Sequence, residues 1–274
     1  MFDNRRIGFA LAAPAAVFVA LAFMLPVGIL LSGSLGTESG WGLGRYAEFF
    51  NEPLYRDVFW RTLRLGGLVT LTCAVLGYAA ALAIVDAGPA WRGRWSGLVM
   101  LPLMISPVAR TYAWIVLLGR TGLVNQAIVG LGLSPEPLRL LFTETAVFIG
   151  LVQLFLPLMV LSLVSALENL PADVVPAARV LGASWPATFF KVILPLTREG
   201  LVIGGTLVFT GAVTAYITPA VLGGSKVLML ETLLYQRVAV ANDFVAASVI
   251  AVILIAMSVV THGLLRRAGA ARAR

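Results

Sequence analysis

The sequence predicts an all-α membrane protein: six transmembrane helices, N- and C-termini in the cytoplasm, and a short cytoplasmic helix between spans four and five. Three observations carry this. Apolar residues make up 59% of the 274 and charged residues 12%, with a mean hydropathy of +0.94, whereas a soluble domain carries about 25% charged residues. The apolar residues gather in six stretches, each near the roughly 20 residues a helix needs to cross a bilayer. Between them the basic residues are unevenly shared. With both termini and the loops after spans two and four on one side, that side holds 11 Lys and Arg against five acids, and the other eight against eight. Such an excess marks the cytoplasmic face. It also accounts for the formal charge of +7 without nucleic acid, because no basic run exceeds two residues.

In chain order, span one covers residues 7–31, uncharged and preceded by Arg5 and Arg6. It is much longer than the 7 to 15 apolar residues of a secretion signal, so it reads as a retained helix. Residues 33–64 form an outer segment whose rings and carboxylates, from Tyr46 to Trp60, suit a short interfacial helix. Span two, 65–85, ends at Asp86, and Arg92 and Arg94 mark the loop after it as cytoplasmic. Span three, 98–118, carries Pro102, Pro107 and Arg110 and is expected to kink. Residues 119–144 return to the outside, with 125–133 forming a short re-entrant or interfacial piece. Span four, 146–167, leads into a polar loop, 168–200. Span five is 201–222, a second outer segment 223–243, and span six 244–265, with Arg266, Arg267, Arg272 and Arg274 after it. All 274 residues read as one membrane domain. Cys73 is the only cysteine and His262 the only histidine, so neither a disulfide nor a histidine-rich metal centre is expected.

The loop at 168–200 is punctuated like a structured element. Asp173 suits an N-cap, Val174 to Leu181 make two helical turns, and Gly182 can end them in the left-handed conformation. Ser184 can cap a second helix with Pro186 in its first turn, leading back to the membrane. Ala177 and Ala178 offer a smooth surface to another protein, with the charge of Arg179 beside them.

The order Ala177-Ala178, three residues, Gly182, nine residues, Val192, one residue, Leu194-Pro195 resembles the EAA loop of permease subunits of binding-protein-dependent ABC importers. The family's usual Glu before the alanines is Pro176 here, which falls in the first turn and is tolerated by the backbone; Asp173, one turn earlier, is the candidate replacement for its carboxylate. Arg110-Thr-Tyr112-Ala-Trp114, Gly122-Leu-Val-Asn125 and Thr218-Pro219-Ala-Val-Leu-Gly223-Gly224 are similar to the spermidine/putrescine branch of that family. The resemblance implies a coupling helix docking onto a cytoplasmic ATPase through Asp173, Pro176, Ala177, Ala178, Arg179, Gly182, Leu194 and Pro195. It further implies a second homologous permease, an ATPase dimer that binds ATP-Mg while this chain binds no cofactor, and an extracytoplasmic substrate-binding protein. The membrane is then the bacterial inner membrane.

Candidate path residues are Arg110, Tyr112, Trp114, Thr210, Thr214 and Tyr216. Thr206, Thr210, Thr214 and Thr218 are spaced by four, a slanting polar stripe on a helix. Either each hydroxyl bonds back to the carbonyl a turn earlier, or the stripe packs beside a path, with Gly200, Gly204, Gly205 and Gly211 allowing close helix contact. Arg110 lies roughly 24 Å above Arg94 on an unbroken helix; it either snorkels to the outer interface or faces a cavity. Tyr112 and Trp114 are either an interfacial belt pair or rings that contact a cationic substrate. A polyamine is cationic, yet the spans hold no acid, so its recognition falls to rings, a partner permease or the binding protein. The chain has no Gly-x-x-x-x-Gly-Lys-Ser/Thr motif, so ATP hydrolysis belongs to another subunit. The competing reading is a self-sufficient secondary transporter or channel, which commonly carries ionisable groups deep in its spans; only Arg110 qualifies.

Overall fold

The computed structural model describes residues 5–37 and 40–270; Asp3, Glu38, Arg272 and Arg274, which enter the charge tally, lie outside the described residues. The chain is mostly helical: α1 (Arg5–Leu35), α2 (Gly44–Asn51), α3 (Pro53–Asp86), α4 (Pro89–Met104), α5 (Pro107–Leu118), α6 (Leu123–Gly130), α7 (Glu144–Glu168), α8 (Val174–Val180), α9 (Trp185–Thr188), α10 (Leu194–Leu196), α11 (Arg198–Val213), α12 (Leu230–Ala239) and α13 (Phe244–Ala270). π-helical turns occupy Phe189–Ile193 and Pro219–Gly223. A two-residue antiparallel pairing of Gly36–Thr37 with Gly40–Trp41 departs from the all-α expectation.

Five stretches are long and apolar enough to cross a membrane: Ala12–Leu35, Pro53–Asp86, Pro107–Gly130, Glu144–Glu168 and Phe244–Arg267. The sixth crossing exists only if Trp185–Leu196 and Arg198–Val213, which meet at 71°, are joined. Three expected spans are therefore redrawn. The helix of span two starts at Pro53, not near residue 65, because proline suits a first turn and no breaker follows until Asp86. Span three breaks at Ile105-Ser106, both extended, and restarts at Pro107, while Pro102 stays inside α4; a residue before proline disfavours the helical region, and that preference is expressed at Ser106. Span five stops at Val213, and helical structure resumes only before the π turn at Pro219–Gly223; Pro219 has no N–H for the carbonyl four residues back.

The described residues divide into two compact units, Met1–Arg56 with Leu234–Ile255, and Asp57–Leu233 with Ala256–Arg274. In the smaller unit, Arg45 donates to the Gly33 carbonyl (2.6 Å) and Tyr46 to Ser34 Oγ (2.8 Å), holding α2 to the end of α1. A cavity of about 450 Å³ there is lined by Arg45, Glu48, Glu52, Tyr55, Arg237 and Asp243.

The larger unit is cored by α3, α7 and α11, with Cys73, Ala81, Leu151, Met159, Leu163 and Val208 fully buried. Glycines let α11 approach α7. A Cβ at Gly200 would sit 2.4 Å from the Ala166 Cβ and 2.9 Å from the Ser162 carbonyl oxygen, and one at Gly204 2.8 Å from Met159 Sδ. Small residues drive such contacts where lipid removes the hydrophobic incentive for helices to associate. At the other end of α7, Arg61 and Arg64 both pair with Glu144, and Leu230 N–H donates to Thr62 Oγ1 (2.9 Å), tying the first residue of α12 to α3.

Candidate functional site

The polar loop between α7 and α11 folds as a helix, a corner and a second helix. Pro176 occupies the third position of α8, where its missing N–H costs nothing, and Ala177 N–H bonds the Asp173 carbonyl (2.8 Å). At the other end the Gly182 N–H bonds the Arg179 carbonyl (3.0 Å) and the Ala183 N–H bonds the Ala178 carbonyl (3.0 Å). That pair of bonds, closed by Gly182 at φ +79°, is a Schellman motif and fixes the direction in which the chain leaves α8.

The two side-chain caps expected from the sequence are absent. Asp173 has helical dihedrals, and its exposed carboxylate makes no cap bond; Ser184 serves through its carbonyl, which accepts from Thr188 N–H (2.9 Å). An Asp already inside the helical region cannot swing its oxygens over the first turn, since an N-cap residue needs non-helical dihedrals. The second helix continues from Trp185 through the π turn to Leu196. Pro195 explains the π turn: without an N–H it cannot serve a carbonyl four back, and Leu194 N–H bonds Phe189 five back instead. The chain then turns at Thr197, so this helix does not run straight into α11.

Burial sorts the predicted docking residues. Val175, Phe189 and Leu194 pack against the core and Ile193 is part of it. Asp173, Pro176, Ala177, Arg179, Gly182 and Pro195 are exposed. Ala178 is 9% exposed and faces the chain's own interior, which corrects the expectation of a two-alanine surface. Sequence reading missed Val180 and Leu181, 87% and 86% exposed; two aliphatics beside a glycine corner outside the crossing helices were the available signal.

The candidate path residues do not behave alike. Arg110 is buried, and its Nη1 donates to the Pro102 carbonyl (2.7 Å) across the break between α4 and α5. It therefore satisfies one of the four orphan carbonyls at the end of α4 instead of reaching for an interface. Trp114 donates to Gln153 Oε1 on α7 (3.4 Å), a polar partner that the apolar run around it concealed. Tyr112 is exposed and Tyr216 half-buried. Thr206 and Thr214 bond back to Val202 and Thr210 carbonyls (2.8 and 2.7 Å). Because α11 ends at Val213, Thr218 lies on a separate turn, and the four threonines are not one stripe. In α12, burial pushes the Glu231 carboxyl above the usual carboxylate range. Asn125 is a loop staple: it donates to the Gly119 and Leu138 carbonyls and accepts from Leu138 N–H.

Among the described residues, five or six helices long and apolar enough to cross a membrane, with a structured polar loop between α7 and α11, define a multi-pass membrane protein. The chain belongs to the family of binding-protein-dependent transport system inner membrane components, whose model matches residues 73–271. It is 37% identical over 207 residues to the spermidine/putrescine transport system permease protein PotB of Haemophilus influenzae, covering 76% of this chain and 72% of that one. It is 35% identical over 179 residues to PotB of Escherichia coli, 65% of each chain. A bacterial ABC transporter involved in the import of the acidic polysaccharide alginate has a chain of the same fold, at TM-score 0.78, 14% identity, and coverage of 98% of this chain and 96% of that one. The chain is thus a permease subunit of an ABC importer, a multi-pass protein of the bacterial inner membrane and not an enzyme.

Proposed function

We propose that this permease moves a polyamine of the spermidine/putrescine kind, driven by a cytoplasmic ATPase dimer that carries the ATP-Mg and onto which α8 docks as the coupling helix. Both termini and the 168–200 loop are cytoplasmic in this reading, which the charge asymmetry favours. A second homologous permease completes the path, and an extracytoplasmic binding protein delivers the cargo. The observation that carries the docking assignment is the exposure of Val180 and Leu181 at the rigid corner of a loop otherwise anchored in the core. Leaving two such side chains in water forgoes roughly 1.5–3 kcal/mol each, which a partner's groove recovers. The substrate class follows the relatives named for spermidine and putrescine. Family membership disfavours the self-sufficient transporter.

The test replaces Val180 and Leu181 together by Asp and measures ATPase co-purification and uptake of labelled spermidine and putrescine. The chain should still fold, since both positions are exposed, while ATPase affinity falls at least about thirtyfold, the weight of an interface hot spot. Wild-type ATPase affinity in the double variant would remove the docking assignment. Absence of spermidine and putrescine uptake by the unaltered importer would remove the substrate.

A further inference from the structure

Tyr78 lies on α3, far in sequence from the docking loop, yet it meets that loop at two points. Its hydroxyl is 2.9 Å from Thr197 Oγ1, and its ring meets Phe189 edge-on, centroids 5.3 Å apart at 86°. Phe189 in turn stacks on Trp185, the first residue of the second loop helix (5.7 Å, 6°). Tyr78 is 7% exposed and Thr197 fully buried. Thr197 is the turning point of the 71° bend between the loop helix and α11. Its hydroxyl donates its single proton to the Ile193 carbonyl (2.8 Å), so in the bond with Tyr78 the tyrosine must be the donor. The result is a directed chain, Tyr78 to Thr197 to the carbonyl of Ile193, the last residue of the π turn. Beside it Gly77 is pressed on α7, where a Cβ would lie 2.8 Å from Met159 Cγ, so α3 at this level is a fixed post.

We infer that Tyr78 is a positioning residue for energy coupling: it pins the fulcrum at Thr197, so that a push on α8 tilts α11 against α3 and α7 instead of flexing the loop. A displacement of the docking helix reaches Phe189 through the loop helix and meets the Tyr78 ring. Without the pin, the bend at Thr197 absorbs that displacement. This rests on the docking assignment above.

The experiment uses the importer purified through a tag on this chain and reconstituted in liposomes, with Tyr78→Phe, Thr197→Val and Thr197→Ser. It reads spermidine transported per ATP hydrolysed, stimulation of the ATPase by the loaded binding protein, and thermal unfolding of the isolated chain in detergent. Tyr78→Phe leaves Thr197 satisfied, so unfolding should shift little, while transport per ATP falls about two- to tenfold, the scale of one neutral hydrogen bond. Thr197→Val strands the buried Tyr78 hydroxyl and should be worse on both readouts; Thr197→Ser keeps the oxygen and should restore the ratio. A ratio unchanged in both Tyr78→Phe and Thr197→Val, with activity merely following the folded fraction, overturns the inference. If the ATPase stays bound after the Val180 and Leu181 replacements, the docking assignment fails on its own readout, and the inference fails with it.

Discussion

The loop at residues 168–200 and the junction of α4 with α5 both interrupt helices, and the two breaks are completed by different means. In the loop, backbone devices set the shape: Pro176 in a first turn, Gly182 in a left-handed corner, a π turn before Pro195. Between α4 and α5 the break is also set by the backbone, at Ser106 before Pro107, but a side chain bridges it: Arg110 donates back to the Pro102 carbonyl over the gap. A break completed by backbone bonds leaves its side chains exposed, as at Val180 and Leu181. A break bridged by a side chain consumes the residue that looked most functional in the sequence.

The largest expected effect tests that second statement. Arg110→Met keeps the stem and removes the donor, leaving the Pro102 carbonyl without this bond. Loss of a charge-assisted bond of this kind costs about 1.5–3 kcal/mol, so thermal unfolding of the chain in detergent should show a clear drop. If stability holds and only transport fails, Arg110 belongs to the path and the contrast drawn above is wrong.

Gly182→Ala comes next. A Cβ there meets nothing within 4 Å, so the whole penalty lies in φ +79°, about 1 kcal/mol for a non-glycine residue. Unfolding should move modestly and ATPase affinity fall with it, because the corner aims Leu181. Gly182→Asn, which tolerates the left-handed region, should recover part of both losses.

These two cases also show what was legible. The apolar stretches located the C-terminal ends of α3 and α7 and the start of α11 to within a turn, since composition alone decides what lipid accepts. The Gly182 corner and the tolerance of Pro176 were readable because both act through their own dihedrals. The bend at Thr197 and the breaks at Ser106 and Val213 were not, since proline tells that a helix is perturbed but not on which side the chain gives way. Pro102 is accommodated inside its helix while Pro107, five residues on, begins a new one. Nor did the sequence show which small residue of the Ala177-Ala178 pair faces outward, because a seven-residue helix has too few turns to define a face.

The smallest stability effect is expected at Asp173, where it is also the most discriminating. As a capping residue it would cost about 1 kcal/mol on replacement, but its side chain makes no cap bond and is exposed, so Asp173→Asn should leave unfolding unchanged within about 0.5 kcal/mol. What remains for its charge is the contact that the family's usual Glu would make from the position of Pro176. If Asp173 supplies it, Asp173→Asn weakens ATPase binding at low salt, and the difference from the unaltered chain narrows as salt screens the charge. Equal ATPase affinity at every salt concentration would leave docking to Val180, Leu181 and the Gly182 corner, with shape and apolar contact replacing the charge altogether.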